Sequence, residues 1–447
     1  MTTLILSVTA GIIILLLLVL YFRIHAFIAL LIACIIVGLL AGLNTDEVVN
    51  TIKQGMAGTL GFVATVVGLG AILGAILEHS GATNAIVSHM ISKFGVEKSP
   101  LALVISGFIV AIPVFFDVAF IILIPIIYSL QRKTRKSLLL YAIPLLAGLA
   151  TTHAFIPPTP GPVAVADIIN VQLGWVILVG FIVGIPTVIL SGLIFGKYIS
   201  KRIYIEAPNP ISETSKQTNL PNVSLVVSII AIPIFLILLN TVISNLNTTN
   251  LRFGKMNLES IISFIGHPFI ALIIANIIAW YFLGVKRGYS KKNLLNISTK
   301  SLAPAGTIIL LTGAGGVFKQ VLVDTGAGKA IAELIMDIGL PLVVFAFISS
   351  AIIRIIQGSA TVAMITAAGL VSPLLIFGEH SPFGLATIVI AIASGASILS
   401  HVNDSGFWLV SQYLGLSEKQ TFKSWSLMTT ILALTGFAMC LLLQIFV

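Results

Sequence analysis

Charge is scarce in this chain. Only 9% of its 447 residues are Asp, Glu, Lys or Arg, against 58% hydrophobic, where a soluble domain carries about 25% charged residues. No soluble core buries that much apolar surface, so the bilayer must be the solvent for most of the chain. Cysteine is scarcer still. Cys34 and Cys440 both lie inside apolar runs, which argues for buried thiols and against a disulfide framework. No Cys/His spacing suggests a metal, and no cofactor is expected. No Ser-His-Asp order or other nucleophile constellation can be assembled, so an enzyme is not expected. A sensor would carry a soluble output domain, and none is evident.

Two further absences narrow the reading. Thr325-Gly326-Ala327-Gly328-Lys329-Ala330 lacks the first glycine of a phosphate loop and the hydroxyl after its lysine, which excludes an ATP site. The first residues show no basic n-region and no small-residue cleavage site, so Leu4–Tyr21 is expected as a retained helix, not a signal peptide. The net charge of +9 would suggest nucleic acid in a soluble protein. Here the basic residues sit in short loops, where they set membrane topology, and no nucleic-acid partner is expected.

What the chain does have is a repeat. His25-Ala26-Phe27-Ile28-Ala29-Leu30-Leu31-Ile32-Ala33 returns as His267-Pro268-Phe269-Ile270-Ala271-Leu272-Ile273-Ile274-Ala275. Gly68-Leu69-Gly70 through Ser80-Gly81-Ala82 matches Gly313-Ala314-Gly315 through Thr325-Gly326-Ala327, and Thr152-His153 matches Ser400-His401. Membrane proteins built from two related halves are usually secondary transporters, with the substrate held where the halves meet.

Runs long enough to span are Leu4–Tyr21, Ala26–Leu43, Leu60–Leu77, Leu138–Ile156, Gly174–Phe195, Val223–Ile243, Pro268–Val285, Leu302–Leu322, Leu385–His401 and Trp425–Phe446. Leu101–Leu130 and Leu340–Phe377 are longer, and each is interrupted, at Pro113–Asp117 and at Gln357-Gly358-Ser359. Both read as re-entrant hairpins, whose irregular backbone is tolerated only where protein or a wet cavity covers it. Of the 24 basic residues, all but Lys53, Arg252, Lys255, Lys329, Lys319 and Arg354 then fall in one set of loops. The positive-inside rule makes that side cytoplasmic and puts both termini outside.

The expected fold is an all-α polytopic membrane protein of two inverted repeats, each of about five transmembrane helices plus one re-entrant hairpin. The first repeat covers 1–199, a cytoplasmic linker 200–222, and the second repeat 223–447.

Ionisable groups inside a membrane are costly and default to function. Here they cluster at the interruptions: Asp117, His153, Arg354, His401 and Asp404. Arg354 suits a substrate carboxylate, because its planar fork binds both oxygens. Thr152, His153, Gly358, Ser359, Thr361, Ser400 and Asn403 complete the candidate substrate site. Asp117, His153, Asp404 and His401 are the candidates for carrying a coupling proton. Asp117 and Asp404 read equally well as helix caps.

At these same places the chain resembles the gluconate permease family of proton-coupled sugar-acid symporters. The resemblance rests on Thr152–Pro162, Gly315–Gly326, Arg354–Ala363 and Ser400–Trp408, and it runs essentially the full length. It implies uptake of gluconate or a close relative, driven by protons, across the inner or plasma membrane of a bacterium. It also implies kinship with ion-transporter folds that use two hairpins and two broken helices, among which homodimers are common. Three positions depart from the family pattern: Asp117 stands where Glu is frequent, Thr159 where a second His is common, and Ser405 where Pro often follows the Asn-Asp pair. Some family members carry D-serine or other hydroxy acids, the alternative substrates for this chain.

Overall fold

The computed structural model describes residues 2–208, 219–245, 252–253 and 256–445. Lys216 and Lys255, assigned above to opposite sides, and 209–218 of the expected linker lie outside the described residues.

The described residues are mostly helical, and the order of helices occurs twice. The first half runs α1 (Thr2–Leu20), α2 (Ala26–Leu40), α3 (Thr45–His79), α4 (Ala82–Phe94), α5 (Ser99–Val110), α6 (Phe116–Thr134), α7 (Leu139–Phe155), α8 (Pro160–Ile169), α9 (Leu173–Val188) and α10 (Phe195–Arg202). The second runs α11 (Val223–Asn245), α12 (Leu258–Ile265), α13 (Pro268–Ala279), α14 (Lys291–Asp324), α15 (Ala327–Ile338), α16 (Leu342–Gln357), α17 (Ala360–Val371), α18 (Pro382–Ser397), α19 (Ser405–Leu414), α20 (Glu418–Thr421) and α21 (Leu427–Gln444). α12 has no counterpart in the first half. Before it, Arg252–Phe253 pairs antiparallel with Met256–Asn257.

The repeat is visible in how the helices begin and end. His25 and His267 each cap their helix by accepting from the backbone N–H two residues on, at 3.3 Å in both cases. The two longest helices, α3 and α14, both start on side-chain caps. Asn44 and Glu47 form a capping box on α3, with Glu47 N donating to Asn44 Oδ1 at 2.9 Å and Asn44 N to Glu47 Oε2 at 2.8 Å. Ser290 Oγ accepts from Asn293 N on α14 at 3.1 Å. α8 and α19, ten residues each, both end on a left-handed residue with φ 64°, Asn170 and Gly415.

Among the described residues, eight helical stretches are long and apolar enough to cross a membrane. Two of the expected spans, at Ala26–Leu43 and Leu385–His401, are shorter helices: α2 and α18 have 15 and 16 residues. α18 is cut short because the chain leaves the helix at Ile398, three residues before His401. Exposed Leu17, Ile185, Phe235 and Ile277 present the apolar outside that lipid requires.

α3 and α14 form the main contact between the halves, and they cross antiparallel. Thr51 Oγ1 donates to Asp324 Oδ2 at 2.6 Å near one end, while Gly68 faces Leu302 near the other. Between them the backbones touch. A Cβ at Gly55 would lie 2.7 Å from Gly316 O, and one at Gly316 would lie 2.6 Å from Gly55 O. Only glycine allows that approach, the usual device for packing helices in lipid. The most enclosed helices are α7, α8, α17 and α18, with α8 of the first half packed on α17 and α18 of the second.

Candidate substrate site

Four interruptions meet around this core. α5 gives way to α6 through Ala111–Phe115. α7 gives way to α8 through Ile156–Thr159. α16 gives way to α17 through Gly358 and Ser359, and α18 to α19 through Ile398–Asp404. Each interruption follows from local chemistry. Pro113, Pro157, Pro158 and Pro160 have no backbone N–H to donate. Gly358 has φ +84°, a conformation glycine adopts without strain. Ser359 then starts α17 by accepting from Val362 N at 3.4 Å, and Asp404 starts α19 by accepting from Gly406 N at 3.2 Å.

Between these breaks lies a cavity of about 580 Å³. Of the residues the sequence singled out, Asp117, His153, Arg354, Gly358, Ser359, Thr361, Asn403 and Asp404 line it; Thr152, Ser400 and His401 do not. Its size suits a small molecule with a few waters.

The polar groups around the cavity divide into engaged and free. Arg354, 5% exposed, pairs with Asp404 Oδ2 at 2.5 Å through Nη2. Its Nη1 donates to Gly358 O. Its Nε is buried without a partner. Asp404 Oδ2 also accepts from Ser400 Oγ, and Trp425 Nε1 donates to Ser400 Oγ at 2.6 Å. Ser400 N donates to Thr429 Oγ1 at 3.1 Å, and Ser426 Oγ donates to Ser400 O. Ser400 therefore sits behind the wall, holding Asp404 in place, rather than facing a ligand.

His401 and Asn403 are drawn to the end of α16. His401 Nε2 donates to Ile355 O at 2.8 Å; Asn403 Nδ2 donates to Ile355 O at 3.0 Å and Ile356 O at 3.1 Å. A helix C-terminus leaves such carbonyls unpaired, and the two side chains supply the missing donors. His153 is placed differently from His401. It lies inside the last turn of α7, with its Nδ1 buried and unpartnered and its ring 6.1 Å from that of Phe115. Thr152 does not line the cavity, and its hydroxyl is buried and unpartnered. Asp117, in the first turn of α6, lines the cavity, and its carboxylate has no hydrogen bond or ion pair within the described residues.

The site also contains residues that sequence motifs did not single out as ligands. Gln357 lines the cavity with Oε1 buried and unpartnered. Phe116 and Trp425 form one wall, their ring centroids 5.5 Å apart. Met364 and Thr429 complete it. Gln357 stands in the interruption itself, so its position was a usable signal. Trp425 lies in the final apolar run, where nothing in the sequence distinguishes it.

No group of His, Cys, Asp and Glu capable of holding a metal occurs among the described residues.

Comparison with known proteins follows the same lines. The family model described as GntP family permease matches residues 3–446. The low-affinity gluconate transporter of Escherichia coli K12 is 40% identical over 97% of this chain and 96% of its own length. The gluconate permease of Bacillus subtilis 168 is 38% identical, over 98% of this chain and 99% of its own. The high-affinity gluconate transporter of Escherichia coli K12 is 36% identical over 98% of each. The crystal structure of the Alcanivorax borkumensis YdaH transporter, which has an unusual topology, superposes with a TM-score of 0.68 over 94% of this chain and 98% of its own, at 13% identity. At that identity the likeness speaks to the fold alone. The interrupted helices, the cavity between them and the full-length match agree: the chain is a multi-pass membrane protein of the GntP permease family.

Proposed function

We propose that this protein imports gluconate, or a closely related sugar acid, by proton symport across the bacterial plasma membrane, with the two halves alternating access to the cavity. The observation that carries the reading is the set of unpartnered polar atoms around the cavity: Arg354 Nε, Gln357 Oε1 and His153 Nδ1. Buried polar atoms normally find partners, and a polyhydroxylated carboxylate would supply them.

The carboxylate belongs in the corner between Arg354 and the first turn of α17. That turn carries no acidic residue of its own, and its N–H groups point their partial positive charge at the space beyond. α6 and α19 instead start beside Asp117 and Asp404, which repel an anion. Ser359, Thr361, Gln357 and the Oδ1 of Asn403 read substrate hydroxyls. Thr152 and Ser400, behind the wall, support the breaks. Of the proton candidates, Asp404 is tied to Arg354 and Ser400, and His401 to Ile355 O. Asp117 and His153 are the groups free to exchange a proton with the cavity.

The antiparallel crossing of α3 and α14, equivalent helices of the two halves, supports an inverted repeat. The distribution of Lys and Arg supports cytoplasmic placement of the loops around Arg132, Lys201 and Lys292.

The test is uptake of labelled gluconate into proteoliposomes under an imposed pH gradient without Na⁺. Uptake that collapses with a protonophore, and is competed best by unlabelled gluconate, supports the reading. Uptake driven by Na⁺ alone overturns the coupling ion. Competition led by D-serine overturns the substrate and gives Asp117 the role of ammonium partner.

A further inference from the structure

A second cavity, of about 320 Å³, lies at the opposite end of α8 from the substrate site. Asp167 and Asn170 of the first half and Asn240 and His267 of the second line it. It is separate from the larger cavity. The N-terminal turn of α8 reaches the substrate site at Gly161, and its ten residues span about 15 Å.

Asp167 is an unusual residue to find there. It lies in the last turn of α8, at the negative end of the helix dipole, where an anion is disfavoured. It sits in a membrane-spanning stretch, where a carboxylate is costly. Its carboxylate makes no hydrogen bond or ion pair within the described residues, although its backbone oxygen accepts from Asn170 N at 3.1 Å. The cation that faces it is Lys319, from α14 of the other half. Lys319 Nζ is turned to the next carbonyl instead and donates to Ile168 O at 2.6 Å, an oxygen that also accepts from Ser372 Oγ at 2.7 Å.

The rest of the surroundings is electrically quiet. α9, α17, α18 and the 3-10 turn Ser372–Phe377 carry no ionisable side chain. α7 carries Tyr141 and His153, the latter in the substrate site. On α3 and α14 the nearest charges toward this end are Lys53 and Asp324, and Asp324 is held by Thr51 and Gln320. Across the cavity, α11 contributes no ionisable group, and the cap of α13 contributes His267, whose Nδ1 accepts from Phe269 N.

We propose that Asp167 is a second proton-accepting site, and that Lys319 is the internal cation which replaces the proton. The proposal rests on the proton-symport reading above and on the same distribution of Lys and Arg, by which the ends of α8 at Asn170 and of α13 at His267 lie opposite the cytoplasmic loops, toward the outside. A proton passes from the outer water to a carboxylate oxygen of Asp167. The carboxylate loses its charge, and Lys319, still an ammonium, rests on Ile168 O, as the structure shows. When the proton leaves to the inner water, the carboxylate regains its charge and draws Lys319 off Ile168. Because Asp167 and Lys319 belong to different halves, this exchange of partners moves α8 against α14. The far end of α8 carries the motion to the substrate cavity, where a Cβ at Gly161 would already lie 2.6 Å from Met364 Sδ of α17.

The experiment uses the full-length protein in proteoliposomes with labelled gluconate. Accumulation driven by a pH gradient is compared with exchange of labelled for unlabelled gluconate without a gradient. Asp167→Asn is expected to lose accumulation by about tenfold or more while exchange stays within about twofold, because the substrate cavity is intact. Lys319→Gln removes the cation that replaces the proton, so accumulation is expected to fall as it does in Asp167→Asn while exchange stays within about twofold. Asp167→Glu is expected to restore driven uptake in part. Wild-type accumulation by Asp167→Asn or by Lys319→Gln overturns the proposal, as does equal loss of accumulation and exchange. A wild-type protein indifferent to the pH gradient overturns instead the symport reading on which it rests.

Discussion

The guanidinium of Arg354 and the carboxylate of Asp404 meet at 2.5 Å across 50 residues of sequence, and they tie the end of α16 to the start of α19. Both are enclosed, with side chains 5% and 13% exposed. The pair joins two interruptions that His401 and Asn403 also tie together, through Ile355 O and Ile356 O. Its second bond, from Arg354 to Gly358 O, fixes the turn between α16 and α17 as well. One side chain thus organises three of the segments that enclose the cavity.

Arg354→Ala should abolish gluconate uptake and destabilise the protein by about 3–5 kcal/mol, the usual cost of leaving one partner of a buried pair uncompensated. Arg354→Lys keeps the charge but loses the fork, and should retain part of the stability with little transport. Thermal melting in detergent, read beside uptake, separates the two effects. A wild-type melting temperature for Arg354→Ala would show that the pair contributes no strength to the fold.

Gly358→Ala should fail more completely than its size suggests. The residue has φ +84°, and a Cβ would lie 2.7 Å from the Asn403 carbonyl carbon. The obstruction is backbone, not a flexible side chain, so the two breaks must part. We expect loss of uptake and a destabilisation of about 1–3 kcal/mol from backbone strain. Full activity in this variant would mean that the breaks separate without consequence.

Much of this arrangement was readable from sequence because lipid enforces simple rules. The matching His25 and His267 runs located equivalent helices, and both histidines cap them in the same way. Arg354, Gly358 and Asp404 stood out because charge and glycine inside apolar stretches demand a reason. What sequence does not carry is rotation about the helix axis. Thr152 and His153 are neighbours, yet His153 faces the cavity and Thr152 does not. Ser400 has the composition of a ligand and acts as a support, because Asp404 and Trp425 claim its hydroxyl. Helix ends are equally hidden: α7 keeps His153 within its last turn, whereas α18 stops before His401. Both side chains come from the matched pairs Thr152-His153 and Ser400-His401, but only the three-dimensional ends of the helices separate their surroundings.

Trp425 offers a direct report on occupancy. Its indole lines the cavity and donates to Ser400, so gluconate binding should change its emission. The chain has 4 tryptophans, and the others are Trp175, Trp280 and Trp408. Titration of the purified protein should give a saturable change that Trp425→Phe removes. The same variant leaves Ser400 without its donor and should lose about 1 kcal/mol of stability. A fluorescence response that persists unchanged in Trp425→Phe would place the ligand elsewhere.

Gln357 tests whether the unpartnered atoms of the cavity exist for the substrate. Its Oε1 is buried and has no hydrogen-bond partner, and such an atom costs stability. If the cost is tolerated because substrate satisfies it, removing the amide should help the fold and harm the function. Gln357→Leu is therefore expected to melt at or slightly above the wild-type temperature, while KM for gluconate rises about tenfold, or roughly 1.4 kcal/mol of lost binding. The loss should appear in KM more than in the maximal rate, because a hydrogen bond made throughout binding is removed without touching the proton groups. A lower melting temperature with unchanged KM would make Gln357 a structural residue of the break, and would leave the reading of substrate hydroxyls to Ser359 and Thr361.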